Sequence, residues 1–230
     1  MTKTKQFING AKLSIPIALG YIPVSFSFGM LAVGAGIPPW AAIIISMTNL
    51  TSAGQFAGIN IIAAAGGIWE MGITTLVINL RYMLMSLALS QKIEKMPAIK
   101  RLIAAFGITD EIFAVASTTE NKITFPFMAG LISLPYIGWA GGTVLGAYVN
   151  KLLPKNLADA MGITLYAMFI AIIVPAARKN KNVLFVLLIA VAISSVIYFT
   201  MPFISSGWSV IIAAVGASTV GATFFKEAEE

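Results

Sequence analysis

The sequence predicts an all-α integral membrane protein with about seven membrane segments, at least one of them discontinuous or re-entrant. Of its 230 residues, 58% are hydrophobic and 10% are charged, whereas a soluble domain carries roughly 25% charged residues. The net charge is +6, but the Lys and Arg residues fall at the edges of apolar runs, which is typical of cytoplasmic anchoring and not of a nucleic-acid-binding surface. We therefore expect a single polytopic domain over residues 1–230, embedded in the lipid bilayer.

Two residue types are absent from the sequence, and their absence limits the kinds of active site that the chain can form. The chain has no Cys and no His, which excludes disulfides, thiolate nucleophiles, the usual zinc and haem sites and Ser-His-Asp catalysis. Its two aspartates do not predict an aspartic-protease pair, because Asp159 lies beside a basic loop outside any predicted span. We expect no enzyme activity, no cofactor and no metal, which leaves transport or a structural role in the membrane.

The N-terminal leader, residues 1–12, holds three Lys and no acid and predicts a cytoplasmic N-terminus. The first span, at about 13–33, is interrupted by prolines and glycines, namely Pro16, Gly20, Pro23 and Gly29. One interpretation is a broken helix whose freed N–H groups near Gly20–Pro23 bind a carboxylate. The other is an ordinary proline kink.

The second apolar stretch, residues 40–66, has a polar centre. Six small or hydrogen-bonding residues fall within eight positions: Thr48, Asn49, Thr51, Ser52, Gly54 and Gln55. Scattered hydroxyls in membrane helices mostly serve packing. This density instead favours a discontinuous or re-entrant segment that lines a polar site.

The third span, at about 71–90, contains Arg81 near its middle, two residues after an asparagine. An arginine at that depth needs a carboxylate or backbone carbonyls, and the run 102–118 holds two adjacent acids, Asp110 and Glu111. We predict an ion pair between Arg81 and one of these acids. The alternatives are a shifted span that lets Arg81 reach the interface, and a surface helix at 102–118 with its acids in water.

Further spans are predicted at about 123–149, 160–177, 183–201 and 208–225, with a short tail at 226–230. The first of these holds small residues four apart, Gly138, Gly142 and Gly146, a ladder on which another helix docks, in this chain or in a partner. Orientation poses a conflict: with every run a full crossing, the basic loop 91–101 lies outside, against the positive-inside rule. An interrupted 40–66, or a 102–118 run that dips and returns, removes the conflict.

Four groups of motifs resemble, in the same order, those of the AzlC family, the large subunits of bacterial branched-chain amino acid exporters. They are Ile15-Pro16-Ile17 with Tyr21-Ile22-Pro23 and Phe28-Gly29, then Ala53-Gly54-Gln55-Phe56, Asn79-Leu80-Arg81, and Phe106-Gly107-Ile108-Thr109-Asp110-Glu111-Ile112-Phe113. Two departures are Tyr82, where the family often has His, and Thr51–Phe56, which places the small residues differently. The resemblance implies a secondary exporter of the bacterial cytoplasmic (inner) membrane that works with a small, roughly four-helix AzlD-like protein.

The function we expect is export of a hydrophobic amino acid, such as leucine, isoleucine or valine, driven by an ion gradient. A zwitterion in the membrane needs both charged ends satisfied. The candidate substrate-binding residues are Gly20, Thr51, Ser52, Gln55, Asn79, Arg81, Thr109 and Asp110. Proton coupling is assigned to the two adjacent acids, with Asp110 as the functional acid and Glu111 as its ion-paired or surface neighbour. The alternatives are a non-transporting scaffold that uses the glycine ladder, and a channel.

Overall fold

The computed structural model describes residues 2–119, 122–149, 156, 163, 167, 170, 173–175 and 177–225. Its helices are α1 (Lys3–Gly34), α2 (Pro39–Thr48), α3 (Ala53–Ala63), α4 (Ile68–Ser90), α5 (Ala98–Phe106), α6 (Asp110–Ser117), α7 (Phe125–Val149), α8 (Lys181–Thr200) and α9 (Ser206–Phe224). The predicted all-α membrane fold is confirmed: α1, α4, α7, α8 and α9 are each long and apolar enough to cross a bilayer. The predicted span at about 160–177, Asp159 and the tail 226–230 lie largely or wholly outside the described residues.

Contacts divide the chain into two compact units. The first comprises Met1–Gln55 and Asn79–Thr164, and the second comprises Phe56–Ile78 and Leu165–Glu230. Helices α3 and α4 each contribute residues to both units. The expected single domain stays a prediction.

In the first unit, α1 and α7 run parallel with their backbones in contact. The α7 glycine Gly138 faces Ala18 of α1, and Gly146, two turns later, faces Phe26. A Cβ atom on Gly138 would lie 2.8 Å from the Ala18 carbonyl oxygen, and one on Gly146 would lie closer still to that of Phe26. The predicted ladder therefore docks α1 of the same chain, and its assignment to a partner protein is wrong.

Helix α1 is uninterrupted from end to end, with Pro16 and Pro23 inside it. The interpretation of a broken helix with freed N–H groups near Gly20–Pro23 is therefore wrong, and the proline-kink alternative stands. The predicted leader is also helical, because α1 already begins at Lys3 after the Thr2 side chain caps its first turn.

The segment between α4 and α7 enters the first unit and returns to the same end. Ile93, which follows α4, bridges to Ile123, which precedes α7, and the Ile123 N–H donates to the Lys92 carbonyl at 3.0 Å. Between these points, α5 and α6 form a hairpin that is broken at 107–109. Helix α5 has nine residues, which is about 14 Å of helix, roughly half of the bilayer core. The run 102–118 thus dips and returns.

The core of the first unit lies where this hairpin packs on α7. Its most deeply buried apolar side chains are Leu89, Ala104, Ile112, Ala116, Ile123, Met128 and Leu131. Ile112 and Ala116 are four residues apart, so they lie on one face of α6 and fix the rotation of that helix. Lipid tails are as apolar as these side chains, so close van der Waals packing, and not exclusion of water, stabilises this core.

Helix α2 enters the first unit from the opposite end. It follows the C-terminus of α1 and runs against α7, because Ser46 lies beside Thr143 and Met47 beside Tyr136. It ends after ten residues, and a non-helical stretch separates it from α3. The predicted discontinuity of 40–66 is confirmed.

Positive charge collects at one end of the first unit. The start of α1, the loop after α4, the start of α5 and the residues before α7 meet there. They carry Lys3, Lys5, Lys92, Lys95, Lys100, Arg101 and Lys122. The turn between α1 and α2, residues 35–38 at the other end, has no charge. The positive-inside rule places the basic end in the cytoplasm. Because α4 ends there, beside the start of α1, the loop after α4 lies inside and the orientation conflict is removed.

In the second unit, α8 and α9 form an antiparallel hairpin. A Cβ on Gly221 would lie 2.8 Å from a Val186 methyl, and one on Gly216 would lie 3.0 Å from Ile193. The predicted spans at about 183–201 and 208–225 match these helices closely. Most of their large apolar side chains are exposed, as expected of surfaces that face lipid.

The second unit also holds a buried acid, Glu70, in the first turn of α4. Its side chain is 8% exposed and accepts a hydrogen bond from the Ser205 hydroxyl. Gly207, in the first turn of α9, leaves room for the carboxylate, because a Cβ there would lie 2.6 Å from the Glu70 Oε1 atom. This carboxylate joins the starts of two helices within the unit.

Candidate functional site

Two helix breaks build the candidate site in the first unit. At the first break, between α2 and α3, Asn49 is extended and Ser52 has φ +48°, a left-handed conformation that is uncommon outside glycine. At the second break, Thr109 caps α6 by accepting the Ile112 N–H at 3.3 Å. The first turn of α6 carries Asp110 and Glu111. The positive end of the helix dipole favours negative charge there.

The two breaks lie at one level of α7. Tyr136 donates its phenolic hydrogen to the Met47 carbonyl at the end of α2 (3.0 Å), and its ring meets that of Phe106 at the end of α5, with centroids 6.1 Å apart. One turn earlier on α7, the Ile132 side chain fills the space beside Gly107. Helices α2 and α5 therefore approach from opposite ends and stop near the middle of the membrane.

An ion pair joins α4 to the second break. Arg81 Nη1 lies 2.6 Å from Asp110 Oδ2, and each side chain is about one-third exposed (36% and 30%). The predicted pairing of Arg81 with one of the two acids is confirmed. Its Nη2 atom donates to Tyr82 Oη at 3.1 Å, and that hydroxyl donates to the Thr51 carbonyl at 3.2 Å. This chain of contacts connects the two breaks, and Tyr82, noted as a departure from the family pattern, is its central link.

The second acid has a different partner, which sequence reasoning missed. Tyr21, buried in the middle of α1, places its phenolic oxygen 2.6 Å from Glu111 Oε2 and 2.7 Å from Thr109 Oγ1. Its ring packs edge-to-face on Trp139 of α7, with centroids 5.3 Å apart. Glu111, expected to be an ion-paired or surface neighbour, is instead half-buried and contacts the phenol, and Asp110 contacts the arginine. The only signal for this contact was Tyr21 itself, a polar side chain in an apolar span.

Gln55 acts as a buried strut at the first break. Its side chain is 2% exposed; its Nε2 donates to Ser46 Oγ and its Oε1 accepts the Ser52 N–H, both at 3.3 Å. Ser46 Oγ in turn lies 2.5 Å from Thr143 Oγ1 of α7. These bonds satisfy Gln55 and position the break, so Gln55 is a positioning residue in this structure and not a free binding group.

Three buried polar atoms near the breaks have no hydrogen-bond partner in the part of the chain that the structure describes. They are Ser52 Oγ, Asn79 Oδ1 and Arg81 Nε. Asn79 reaches the first break, because a Cβ on Gly54 would lie 3.2 Å from its Oδ1 and 2.7 Å from Thr51 Oγ1. Buried polar atoms are normally paired, so these atoms mark places where water or a ligand binds.

The structure brings seven of the eight predicted substrate-binding residues to the two breaks: Thr51, Ser52, Gln55, Asn79, Arg81, Thr109 and Asp110. Gly20 is the exception. It lies on an exposed face of α1, and apart from its chain neighbours and its own helix backbone, no heavy atom of the described residues lies within 4 Å of a Cβ placed on it. Its neighbour Tyr21 is the residue of α1 that reaches the site.

The chain is similar to proteins of one membrane family. The family model described as AzlC protein matches residues 16–153, more than half of the chain. The chain is 28% identical over 204 residues to the inner membrane protein YgaZ of Escherichia coli K12, covering 85% of this chain and 83% of the relative. It is 32% identical over 179 residues to an uncharacterized membrane protein of Archaeoglobus fulgidus, covering 76% and 78%. No solved structure matches the chain significantly.

Proposed function

This chain belongs to the AzlC family of membrane proteins, and from that premise and the site geometry we propose that it is a secondary transporter that exports branched-chain amino acids. The observation that carries the proposal is the meeting of two broken helices, from opposite ends, beside a membrane-embedded ion pair. Substrate sites of secondary transporters typically lie at the bilayer midplane, between discontinuous helices. A scaffold would not need unpaired polar atoms at such a point.

The breaks offer opposite partial charges to a zwitterion. The start of α3 presents N–H groups and a positive dipole end, while the ends of α2 and α5 present carbonyl groups and negative dipole ends. We assign the substrate carboxylate to the start of α3, with Ser52 Oγ and Arg81 Nε as donors that have no partner among the described residues. The substrate ammonium is assigned to Asn79 Oδ1, an acceptor that likewise has no partner in the described part of the chain, together with the carbonyl end of α2.

The other polar residues of the site hold these groups in place. Asp110 fixes the guanidinium of Arg81, Gln55 fixes the backbone at Ser52, and Thr109 caps α6. Such support keeps a binding geometry within narrow limits. The apolar side chain of the substrate then contacts the aliphatic and aromatic residues around the breaks, as in most small-molecule sites.

The proposal extends to location and partner. The membrane is the cytoplasmic membrane of a bacterium, which the inner-membrane relative supports. The partner is a small AzlD-like membrane protein, which the family resemblance alone supports. The glycine ladder plays no part in this pairing, because α1 already covers it.

Counterflow of labelled isoleucine in proteoliposomes tests the proposal, with this chain alone and together with a candidate small partner. We expect uptake that unlabelled leucine and valine compete and that lysine and glutamate do not. Asn79→Leu, which removes the unpaired acceptor at similar size, should abolish this uptake. The matched control is Leu84→Ala on the same helix, since Leu84 is 69% exposed and should leave uptake intact. Flux without side-chain selectivity, or equal flux from both variants, would refute the assignment.

A further inference from the structure

The charges at the second break do not balance. Arg81 contributes one positive charge, and Asp110 and Glu111 contribute one negative charge each when both are ionised. The guanidinium is engaged by Asp110 and by the Tyr82 hydroxyl. Within the described part of the chain, no Lys or Arg nitrogen lies within 4.0 Å of Glu111. An uncompensated carboxylate at membrane depth costs free energy, so binding of a positive charge would stabilise Glu111.

We propose that Glu111 is the group that binds and releases the coupling proton, and that the Arg81–Asp110 ion pair stays formed and exchanges no proton. This inference rests on the proposed transport function and deepens it. Uptake of one proton from water converts the Glu111 carboxylate to a carboxylic acid and breaks no other bond. The summed charge of Arg81, Asp110 and Glu111 then changes from −1 to zero. This change lowers the free-energy cost of moving these side chains through the membrane interior.

Tyr21 suits both protonation states of Glu111. A phenol has one hydrogen to donate and can also accept one, and here it has two neighbours, Glu111 Oε2 at 2.6 Å and Thr109 Oγ1 at 2.7 Å. With Glu111 ionised, Tyr21 donates to the carboxylate, as charge-assisted bonds of this length do. With Glu111 protonated, the acid donates to the phenol oxygen, and Tyr21 donates to Thr109. The phenol is hydrogen-bonded in either state.

The surroundings of Glu111 favour a proton over a metal cation. Tyr21 faces it from α1, Arg81 and Tyr82 face the adjoining ion pair from α4, and Asp110 precedes it on α6. Helix α7 has no Lys, Arg, Asp or Glu at all. A sodium or larger ion needs several oxygen ligands at open positions, whereas the phenol already covers Oε2 at hydrogen-bond distance.

Infrared difference spectroscopy on pH change tests the assignment without any substrate. The chain has nine carboxyl side chains, and we expect a protonated-carboxyl band in lipid that Glu111→Gln removes. Tyr21→Phe should shift this band, because the acid loses its hydrogen-bond partner. Glu70→Gln, which alters the buried acid of the second unit, is the control and should keep the band. Loss of the band in this control, or its retention in Glu111→Gln, would overturn the proposal.

A transport measurement separates this inference from the proposed function. Glu111→Gln should keep isoleucine counterflow, which moves no net proton, and lose its stimulation by an imposed pH gradient. Wild-type counterflow that follows a sodium gradient at constant pH would overturn the proton assignment and leave the transport function standing. Absence of wild-type counterflow would instead reject the transport function, while the infrared titration would still report whether Glu111 holds the proton.

Discussion

Replacing Gly146 by alanine is expected to destabilise the protein, whereas the same change at Gly141 is expected to stabilise it slightly. Both glycines lie within α7, so the intrinsic gain of alanine over glycine in a helix, about 1 kcal/mol, is common to both. They differ in their surroundings. Among the described residues, a Cβ on Gly141 has no neighbour within 4 Å beyond its chain neighbours and its own helix backbone, whereas one on Gly146 would overlap the carbonyl of Phe26 in α1.

The magnitude follows from this difference. A methyl group forced into a close-packed contact typically costs about 1–3 kcal/mol, and here the obstacle is backbone that cannot rotate away. Because the helix term cancels between the variants, their unfolding free energies should differ by about 1–3 kcal/mol. For a chain of this size that is roughly 2–4 °C in Tm per kcal/mol, measurable by thermal unfolding in detergent. Equal Tm values for the two variants would refute the backbone contact between α1 and α7.

Three further outcomes are expected. Arg81→Gln and Asp110→Asn should be coupled by about 0.5–3 kcal/mol in a double-mutant cycle of unfolding, and strict additivity would contradict the ion pair. Gln55→Leu should lower stability by about 1–3 kcal/mol, because the part-buried Ser52 N–H loses its partner and the Ser46 hydroxyl loses one of its two hydrogen bonds; unchanged thermal unfolding would contradict this role of Gln55. Since the chain has no native Cys, Lys95→Cys and Gly34→Cys should react with an impermeant thiol reagent from opposite sides of the membrane, and labelling from one side only would contradict the topology.

Local composition was sufficient to predict most of the membrane segments. Long apolar runs predicted α4, α8 and α9 to within a few residues, because span length is set by bilayer thickness. The density of hydroxyl and amide groups around Thr51 predicted the first break, since such groups need partners that hydrocarbon lacks. The scarcity of membrane-embedded charges predicted the partner of Arg81 to be one of two acids.

Long-range packing could not be predicted in the same way. The glycines of α7 predicted a close helix contact, but nothing in their spacing identified α1 as the neighbour, because residues 35–124 separate the two helices in sequence. The prolines of α1 allowed two interpretations, a broken helix or a kinked one, for the same reason. Whether Pro16 and Pro23 break or only kink a helix depends on the packing around it, and here α7 supports the backbone of α1 along its length.

The division of roles between Asp110 and Glu111 shows how tertiary packing decides the chemistry. Successive residues of a helix point about 100° apart, so the two acids necessarily face different neighbours. Burial of Ile112 and Ala116 on one face sets the rotation of α6, which turns Asp110 towards Arg81 of α4 and Glu111 towards Tyr21 of α1. A shift of that buried face by one residue, to 113 and 117, would turn Glu111 to the direction that Asp110 takes now. Which acid contacts the arginine and which contacts the phenol is therefore determined by how α6 docks, and the Thr-Asp-Glu motif alone does not determine it.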